Sequence, residues 1–589
     1  MMSREKLCIC AIALLLSALT ISGIAAPAAA EAVRARPDGL DGLAVVQMPP
    51  PNPLDYFDAQ RKAAQLADDG KFADAEPLTE RLVSDYPIDG HNWLLLARVK
   101  RHLAKYADAA NAYRKAIAML GPGVPGRAQY WLAVSEAAGG SAPAALNALD
   151  RLVEEDHYFD RPSLYADDNL KPLLGQPRFA RIAGREDSAS WSRDAGWRHD
   201  LDYLVAEMKR VNPDYHDRPF PEAFEQSYRQ LRAAVPKLAD EQIYVGMSRM
   251  LATLNQGHTN LWPFIPAKRM AFKVLPVQFY IFPEGVFVVG ADPGNADLIG
   301  AQLVSIENTP AAEALQRIKD IHSNDSGMEI LWLGPLFLSL AQELKGLGIV
   351  PRTDEIQVTM RTSSGAMVSR RLTTTSTFGP TKLPAPPGVP PLAFSHPGKA
   401  HWLQALPDAR AVYVEVNQIA DDSDETLEAF GLRLRKVLKD SSVRSVILDL
   451  RNNNGGNTFD YVELLRTLIG FSEEDGHSLY VLVGRDVYSA AGNLTTDMER
   501  LASPVFIGEP TGMTGNNYGD ESQLVLPYSG ISAGLTSLKW QLGYPADLRR
   551  AIVPQVPVRM TAADYFAGRD PALAAAIALC KRDDSAAPH

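Results

Sequence analysis

Two segments in the last third of this 589-residue chain constrain what it can fold into: VILDLRNNNGG, from Val446 to Gly456, and YVLVGRDVYSAAGNLTTDMERL, from Tyr480 to Leu501. Each contains an apolar run that reads as a buried strand, and each run ends where chemistry can start, at Gly455-Gly456 after the first and at Ser489 after the second. The two strand ends then share one sheet edge. A serine at a strand-to-helix turn places its hydroxyl and the neighbouring amides at a helix N-terminus, where unpaired N–H groups and the macrodipole favour an anion. A glycine pair beside it lets the backbone approach closely enough to add another N–H donor. Nucleophile and oxyanion hole are therefore compatible with this arrangement.

The string Asp449-Leu450-Arg451-x-Asn453-x-Gly455-Gly456, followed by Ser489-Ala490, resembles the tail-specific and tricorn-type serine peptidases of the C-terminal-processing peptidase superfamily. With the matches below, the resemblance spans roughly residues 190 to 575. It implies that Ser489 is the acylated nucleophile and that the backbone amides of Gly456 and Ala490 form the oxyanion hole. It also implies one of two activators: a lysine about two dozen residues downstream, or a histidine far upstream. No lysine lies between Lys439 and Lys539, and the stretch where such a lysine would stand reads IGEPTGMTGNNYGD, Ile507 to Asp520. The histidine counterpart is MLATLNQGHTNL, which makes His258 the candidate base. The family often places an acid just before this histidine, and here Asn255-Gln256 stand there.

A histidine base needs an acceptor on its second ring nitrogen to fix the tautomer and stabilise the imidazolium. Tricorn-like enzymes carry a glutamate for this about 58 residues past the serine. Counting from Ser489 reaches Asp547, an acid whose carboxylate sits about one methylene, roughly 1.5 Å, further back. Glu521 and Asp520 remain alternatives for the same role. Taken alone, a serine at a helix start reads as an N-cap and a lone histidine as a hydrogen-bonded structural residue. The shared motif context moves both towards catalysis. Asp449 and Arg451, at i and i+2 on a strand, share a face and read as a structural pair.

Other chemistries lack their ligands. The chain has no H-E-x-x-H, no G-x-x-x-x-G-K-[ST], no paired C-x-x-C, and no G-x-S-x-G around Ser489. No cofactor and no metal are expected. The 70 scattered carboxylates neither support nor exclude a glycosidase. A formal net charge of −11 disfavours nucleic acid and anionic membrane surfaces as partners.

Arg4 and Lys6 precede an apolar run from Leu7 to Ala26, then Pro27 and Ala28-Ala29-Ala30. This pattern predicts a secretory signal peptide over residues 1–30, hence a periplasmic or secreted protein, with an uncleaved membrane anchor as the alternative. Once Cys8 and Cys10 leave with that peptide only Cys580 remains, so no internal disulfide is expected. Residues 31–54 read as a Pro- and Gly-rich linker. GKFADA at Gly70 recurs as AKYADA at Ala104 and more loosely as GSAPAA at Gly140. That spacing of about 34 predicts tetratricopeptide repeats over 55–157, with a groove for a peptide or partner protein.

The remaining chain divides into a capping helix and connector at 158–190, a helical lead-in carrying His258 at 191–265, and strand-patterned residues at 270–390. The stretch GAQLVSIENTPAAEAL within the last of these resembles a PDZ-like module, which holds peptides by strand addition. The core follows at 395–575, and a tail at 576–589. The expected fold class is a multidomain α plus α/β protein: an α-solenoid, a PDZ-like β module and a crotonase-like or Clp-protease-like α/β core. The expected function is a serine endopeptidase acting on a peptide or protein substrate. A catalytically inactive peptide-binding scaffold and an esterase or amidase on the same core are the alternatives.

Overall fold

The computed structural model describes residues 53–120, 128–154, 161–184, 190–264, 267–379 and 382–586, so the expected signal peptide and nearly all of the linker lie outside the described residues. Contacts divide the chain into two compact units, residues 1–103 and 104–589.

Within the first unit, α1 (Pro53–Asp68), α2 (Phe72–Asp85) and α3 (Gly90–His102) pack in succession around Ala67, Ala75 and Val99. The second unit opens with α4 (Tyr106–Leu120), α5 (Ala128–Ala138) and α6 (Ala142–Glu154), likewise packed in sequence. Small residues sit at the crossings, among them Ala109, Ala112, Ala116, Ala133, Ala145 and Ala148, all buried. The three positions that recur in sequence share one backbone state: Gly70, Ala104 and Gly140 have φ of 74°, 58° and 84°. That left-handed turn is routine for glycine and strained for Ala104.

Beyond α7 (Arg161–Ala166) and α8 (Pro177–Ile182) come three longer helices: α9 (Arg193–Val211), α10 (Glu222–Ala234) and α11 (Asp240–Ala252). Their apolar faces bury Trp197, Phe224 and Tyr244 in one core with Leu524, Ala533 and Leu535. At about 1.5–3 kcal/mol per large side chain, this burial commits a distant strand pair to the helical layer. The anchor is specific as well as apolar. The buried Asp200 carboxylate accepts the amides of Tyr528 and Ser529 at 2.7 and 2.8 Å, closing the turn of that strand pair.

After β1 (Asn260–Trp262), an antiparallel sheet runs in the order β2-β3-β4-β6-β7, made of β2 (Val277–Phe282), β3 (Gly285–Ala291), β4 (Gln302–Ile306), β6 (Glu355–Arg361) and β7 (Met367–Thr373). The short β5 (Thr309–Pro310) pairs with β4. Helices α12 (Ala311–Lys319), α13 (Glu329–Phe337) and α14 (Ala341–Gly346) fall between β5 and β6, and α13 packs beside the edge strand β2.

The core that follows alternates strand and helix: β8 (His401–Leu406), β9 (Ala411–Val416), α15 (Leu427–Val437), β10 (Ser445–Asp449), α16 (Val462–Ser472), β11 (Ser478–Val483), α17 (Ala490–Leu501) and β12 (Val505–Gly508). With β15 (Val556–Pro557) they form one sheet in the order β15-β12-β11-β10-β9-β8, parallel except for β8. All residues of β9 and β10 are buried, as a parallel sheet covered on both faces requires. One face lies under α15, α16 and α17 and the other under α19 (Pro571–Ala586), which follows the short α18 (Ala562–Phe566). Residues 576–586 of the expected tail are therefore helical and not a tail. Ala576 and Cys580 pack against Tyr480 and Ile507, because the Ala-rich face of α19 is small enough to lie flat on the sheet.

Between α17 and α19 the chain also forms a hairpin, β13 (Asn516–Val525) and β14 (Ser532–Gln541), and β1 pairs antiparallel with β14, Asn260 opposite Gly534 and Trp262 opposite Ser532. This pairing delivers the residues just before β1 to the core.

Candidate active site

The D-L-R-x-N-x-G-G string builds the floor of the site residue by residue. Asp449, at the end of β10, and Arg451 form a buried pair at 2.6 Å, and Arg451 also meets Asp570 at 2.7 Å. These two residues hold structure, as their spacing suggests. Asn453 pins the loop: its Nδ2 donates to the Val416 carbonyl at 2.9 Å, its Oδ1 accepts the Gly455 amide at 2.9 Å, and its own carbonyl accepts the Tyr488 amide.

The two glycines are sterically obligatory. Gly455 has φ of 119°, and a Cβ there would lie 2.6 Å from the Cβ of Ser489. Gly456 has φ of 139°, and a Cβ there would lie 2.0 Å from the Ile419 carbonyl oxygen. Only glycine allows this approach.

Ser489 occupies the turn from β11 into α17 with φ 50° and ψ −127°, a region that non-glycine residues enter only under strain and that clusters at functional sites. The turn is held from outside. Arg485 pairs with Glu509 at 2.8 Å and donates to the carbonyl of Ile281 on β2 at 2.7 Å. Among the described residues, neither the Gly456 amide nor the Ala490 amide donates a hydrogen bond to protein. Two unpaired N–H groups beside a strained serine at a helix N-terminus are what an oxyanion needs.

Met513 stands 24 residues past Ser489, where a lysine-activated relative would hold its amine, and its sulfur faces the Ser489 amide. A thioether sulfur is only a weak acceptor and does not take up a proton in water, so this position cannot supply a base.

His258 lies on the turn between α11 and β1. Thr259, its neighbour, accepts the Thr536 amide on its hydroxyl at 3.1 Å, which fixes the turn against β14. The imidazole is 6% exposed and stacks on Tyr488 with 4.7 Å between ring centroids. Burial pushes its pKa down to about 4, with the Tyr518 backbone acting weakly in the other direction. It is therefore neutral and able to accept a proton at ordinary pH. Among the described residues, its buried Nδ1 has no hydrogen-bond partner.

His258, Gly456 and Ser489 line one cavity of about 750 Å³, together with Tyr488, Asp520 and Glu521. Asp547 does not join them. Its carboxylate is bound to Arg549 at 2.7 Å, and Arg549 is in turn bound to Glu499. Counting 58 residues past the serine carries the chain beyond the hairpin onto the turn after β14, where Asn516 also holds the Tyr544 and Asp547 carbonyls. The two alternatives do reach the cavity. Asp520 accepts from Trp540 Nε1 at 2.9 Å, and Glu521 accepts from the indole of Trp262. Burial raises the Glu521 carboxyl to about 7. No hydrogen bond joins either acid to His258 among the described residues.

Three residues of the site carried no sequence motif. Tyr488 underlies the imidazole, and its hydroxyl meets the buried Asp325 carboxylate at 3.0 Å. Glu329, whose carboxylate accepts the Asp325 amide at 2.8 Å, also lines the cavity. Burial raises the pKa of both acids, and the Asp325 carboxylate further disfavours charge on Glu329. Their i, i+4 spacing in SNDSGMEI was the only available signal.

No family model matches the chain. A curated protein of Rhizobium meliloti (strain 1021), described as cytochrome c-type biogenesis protein CycH, is 34% identical over 154 residues, which is 26% of this chain and 40% of that protein. The chain thus spans less than half the length of the curated relative it matches. Among solved structures, it is similar to mature CPAF over 67% of this chain and 99% of that one, at 12% identity and a TM-score of 0.48. It is also similar to the photosystem II D1 C-terminal processing protease over 64% and 98%, at 16% identity and a TM-score of 0.30. The third is the tricorn protease, over 66% and 37%, at 12% identity and a TM-score of 0.31.

Proposed function

We propose that this protein is a serine endopeptidase working through a Ser–His acyl-enzyme mechanism. One observation carries the reading: a strained serine, the Gly456 amide and a buried neutral imidazole line a single cavity, and the Ala490 amide, also unpaired among the described residues, directly follows the serine. His258 takes the Ser489 proton as Oγ attacks the peptide carbonyl, and the Gly456 and Ala490 amides receive the developing oxyanion. The imidazolium returns the proton to the leaving amine, and water releases the acyl group by the same steps in reverse. The imidazole is oriented by its stack on Tyr488 and by the Tyr518 backbone, in the place where a triad would put a carboxylate.

The helical repeats fit tetratricopeptide units that recruit a protein partner, and the six-stranded sheet with α13 beside its edge strand fits a PDZ-like module. We place the protein in the periplasm or outside the cell on the signal-peptide pattern. No helix among the described residues is long and apolar enough to cross a membrane.

One observation favours a second reading, a peptide-binding scaffold without turnover: among the described residues the Nδ1 of His258 has no hydrogen-bond partner. A fluorophosphonate separates the two. Intact-mass spectrometry should show one adduct on the parent and none on Ser489→Ala. A folded parent that takes no adduct would reject the peptidase in favour of the scaffold.

A further inference from the structure

We infer that Asp325 is a positioning residue for this reaction, a single carboxylate oxygen that holds the segment bearing the base and the segment bearing the nucleophile together. The inference rests on the reading of Ser489 and His258 given above. Asp325 Oδ2 accepts two hydrogen bonds, from the Gly257 amide at 3.0 Å and from the Tyr488 hydroxyl at 3.0 Å. Gly257 immediately precedes His258, and Tyr488 immediately precedes Ser489. Both donors come from far away in sequence, 68 and 163 residues from Asp325.

The clamp explains a glycine as well. A Cβ on residue 257 would lie 2.0 Å from the Tyr488 hydroxyl and 2.4 Å from Asp325 Oδ2, so the two donors can share one oxygen only if residue 257 has no side chain. The Tyr488 ring, fixed at its hydroxyl end, then stacks on the imidazole and also meets Trp332. Asp325 is itself immobilised. It is 9% exposed, its amide donates to Glu329, and its carbonyl accepts from Arg550 at 3.1 Å. Neither the His258 turn nor the Ser489 turn contains a direct bond to the other among the described residues, so this shared oxygen is the polar link between them.

The action is geometric, which separates it from a triad acid. An amide oxygen accepts two hydrogen bonds as a carboxylate oxygen does, so Asp325→Asn keeps the clamp while removing the charge. The test is the second-order rate of fluorophosphonate labelling at Ser489, with a thermal melt of each variant to establish folding. Asp325→Ala should label about 10²-fold slower, the cost of a misplacement near 1 Å between reacting groups. Tyr488→Phe keeps the ring stack, loses one of the two donors, and should fall about tenfold. Asp325→Asn should recover most of the parent rate. Folded Asp325→Ala and Tyr488→Phe proteins that label at the parent rate would overturn the clamp. So would an Asn variant as slow as the alanine one, since that would show the charge to matter and not the geometry. A parent that fails to label at all would bring down the peptidase reading and the clamp with it.

Discussion

Replacing Gly455 by alanine is the sharpest single perturbation of this site, because the structure gives both its direction and its size. The new Cβ would stand 2.6 Å from Ser489 Cβ, 3.1 Å from the Tyr488 carbonyl oxygen and 3.2 Å from the Ala490 amide nitrogen. Ordinary carbon–carbon contact lies near 3.5–4.0 Å, so Ser489 must retreat by about 1 Å. It cannot retreat freely, since the turn is tied through Arg485 to Glu509 and to β2. A shift of that size in a nucleophile costs about 10²-fold, or roughly 2.7 kcal/mol of barrier. The alanine must also hold φ of 119°, which adds about 1–3 kcal/mol of strain to the folded state. Gly455→Ala should therefore label with fluorophosphonate about two orders of magnitude more slowly, with a modestly lower melting temperature. The control is Gly470→Ala on the exposed face of α16, where a Cβ meets nothing within 4 Å and labelling should be unchanged. A folded Gly455→Ala protein labelling within a few-fold of the parent would refute the account of the glycine pair as the wall behind the nucleophile.

Two further outcomes follow from the same geometry. Because burial holds His258 near a pKa of about 4 in place of its usual 6.5, the acid limb of kcat/KM should lie near pH 4; a limb near 6.5 would show another group to be the base. The folded imidazole binds a proton less tightly than the unfolded one, so its contribution to stability is complete above 6.5 and is lost as pH falls from 6.5 towards 4. That loss is about 3 kcal/mol, and His258→Gln should flatten this part of the pH–stability curve. Asp547→Asn removes an exposed pair with Arg549, so it should change stability by under about 1 kcal/mol and leave the labelling rate alone; a tenfold loss of rate would reinstate it beside the histidine.

How far the sequence discloses this molecule depends on the kind of force that places each residue. The core strands β9 to β12 are written as unbroken apolar runs because both faces of that sheet are covered, and burial is a property that a short window of sequence records. The glycine pair and Ser489 are legible for a related reason, since the backbone states they adopt limit which residues can stand there. The helices α13 and α14 are harder to see. LWLGPLF is apolar on nearly every side and carries an internal proline, so no helical period stands out, although α13 supplies Glu329 and Trp332 to the site. Asp547 shows the limit of counting along the chain. Residue spacing carries over between relatives only where the intervening loop keeps its path, and here the turn after β14 is drawn outward by Arg549 and Asn516.

Asp325 lies beyond any linear reading, because its meaning resides in two donors that converge on one atom from segments 68 residues before it and 163 residues after it. The only local trace is Gly257, a residue that looks like a turn glycine until the space around it is measured. A catalytic pair drawn from two distant segments needs something to hold its separation, and hydrophobic packing alone is poorly suited to that, since apolar contacts are non-directional and tolerate sliding. A buried oxygen with two donors sets distance and angle together, which is why a polar group is worth its desolvation cost at this position. His258 is fixed from below by Tyr488, Tyr488 by Asp325, and Asp325 by Glu329 and Arg550, so the imidazole can be positioned without a carboxylate of its own. What such an arrangement gives up is direct stabilisation of the imidazolium by a carboxylate, so nothing charged offsets the burial that holds the His258 pKa down.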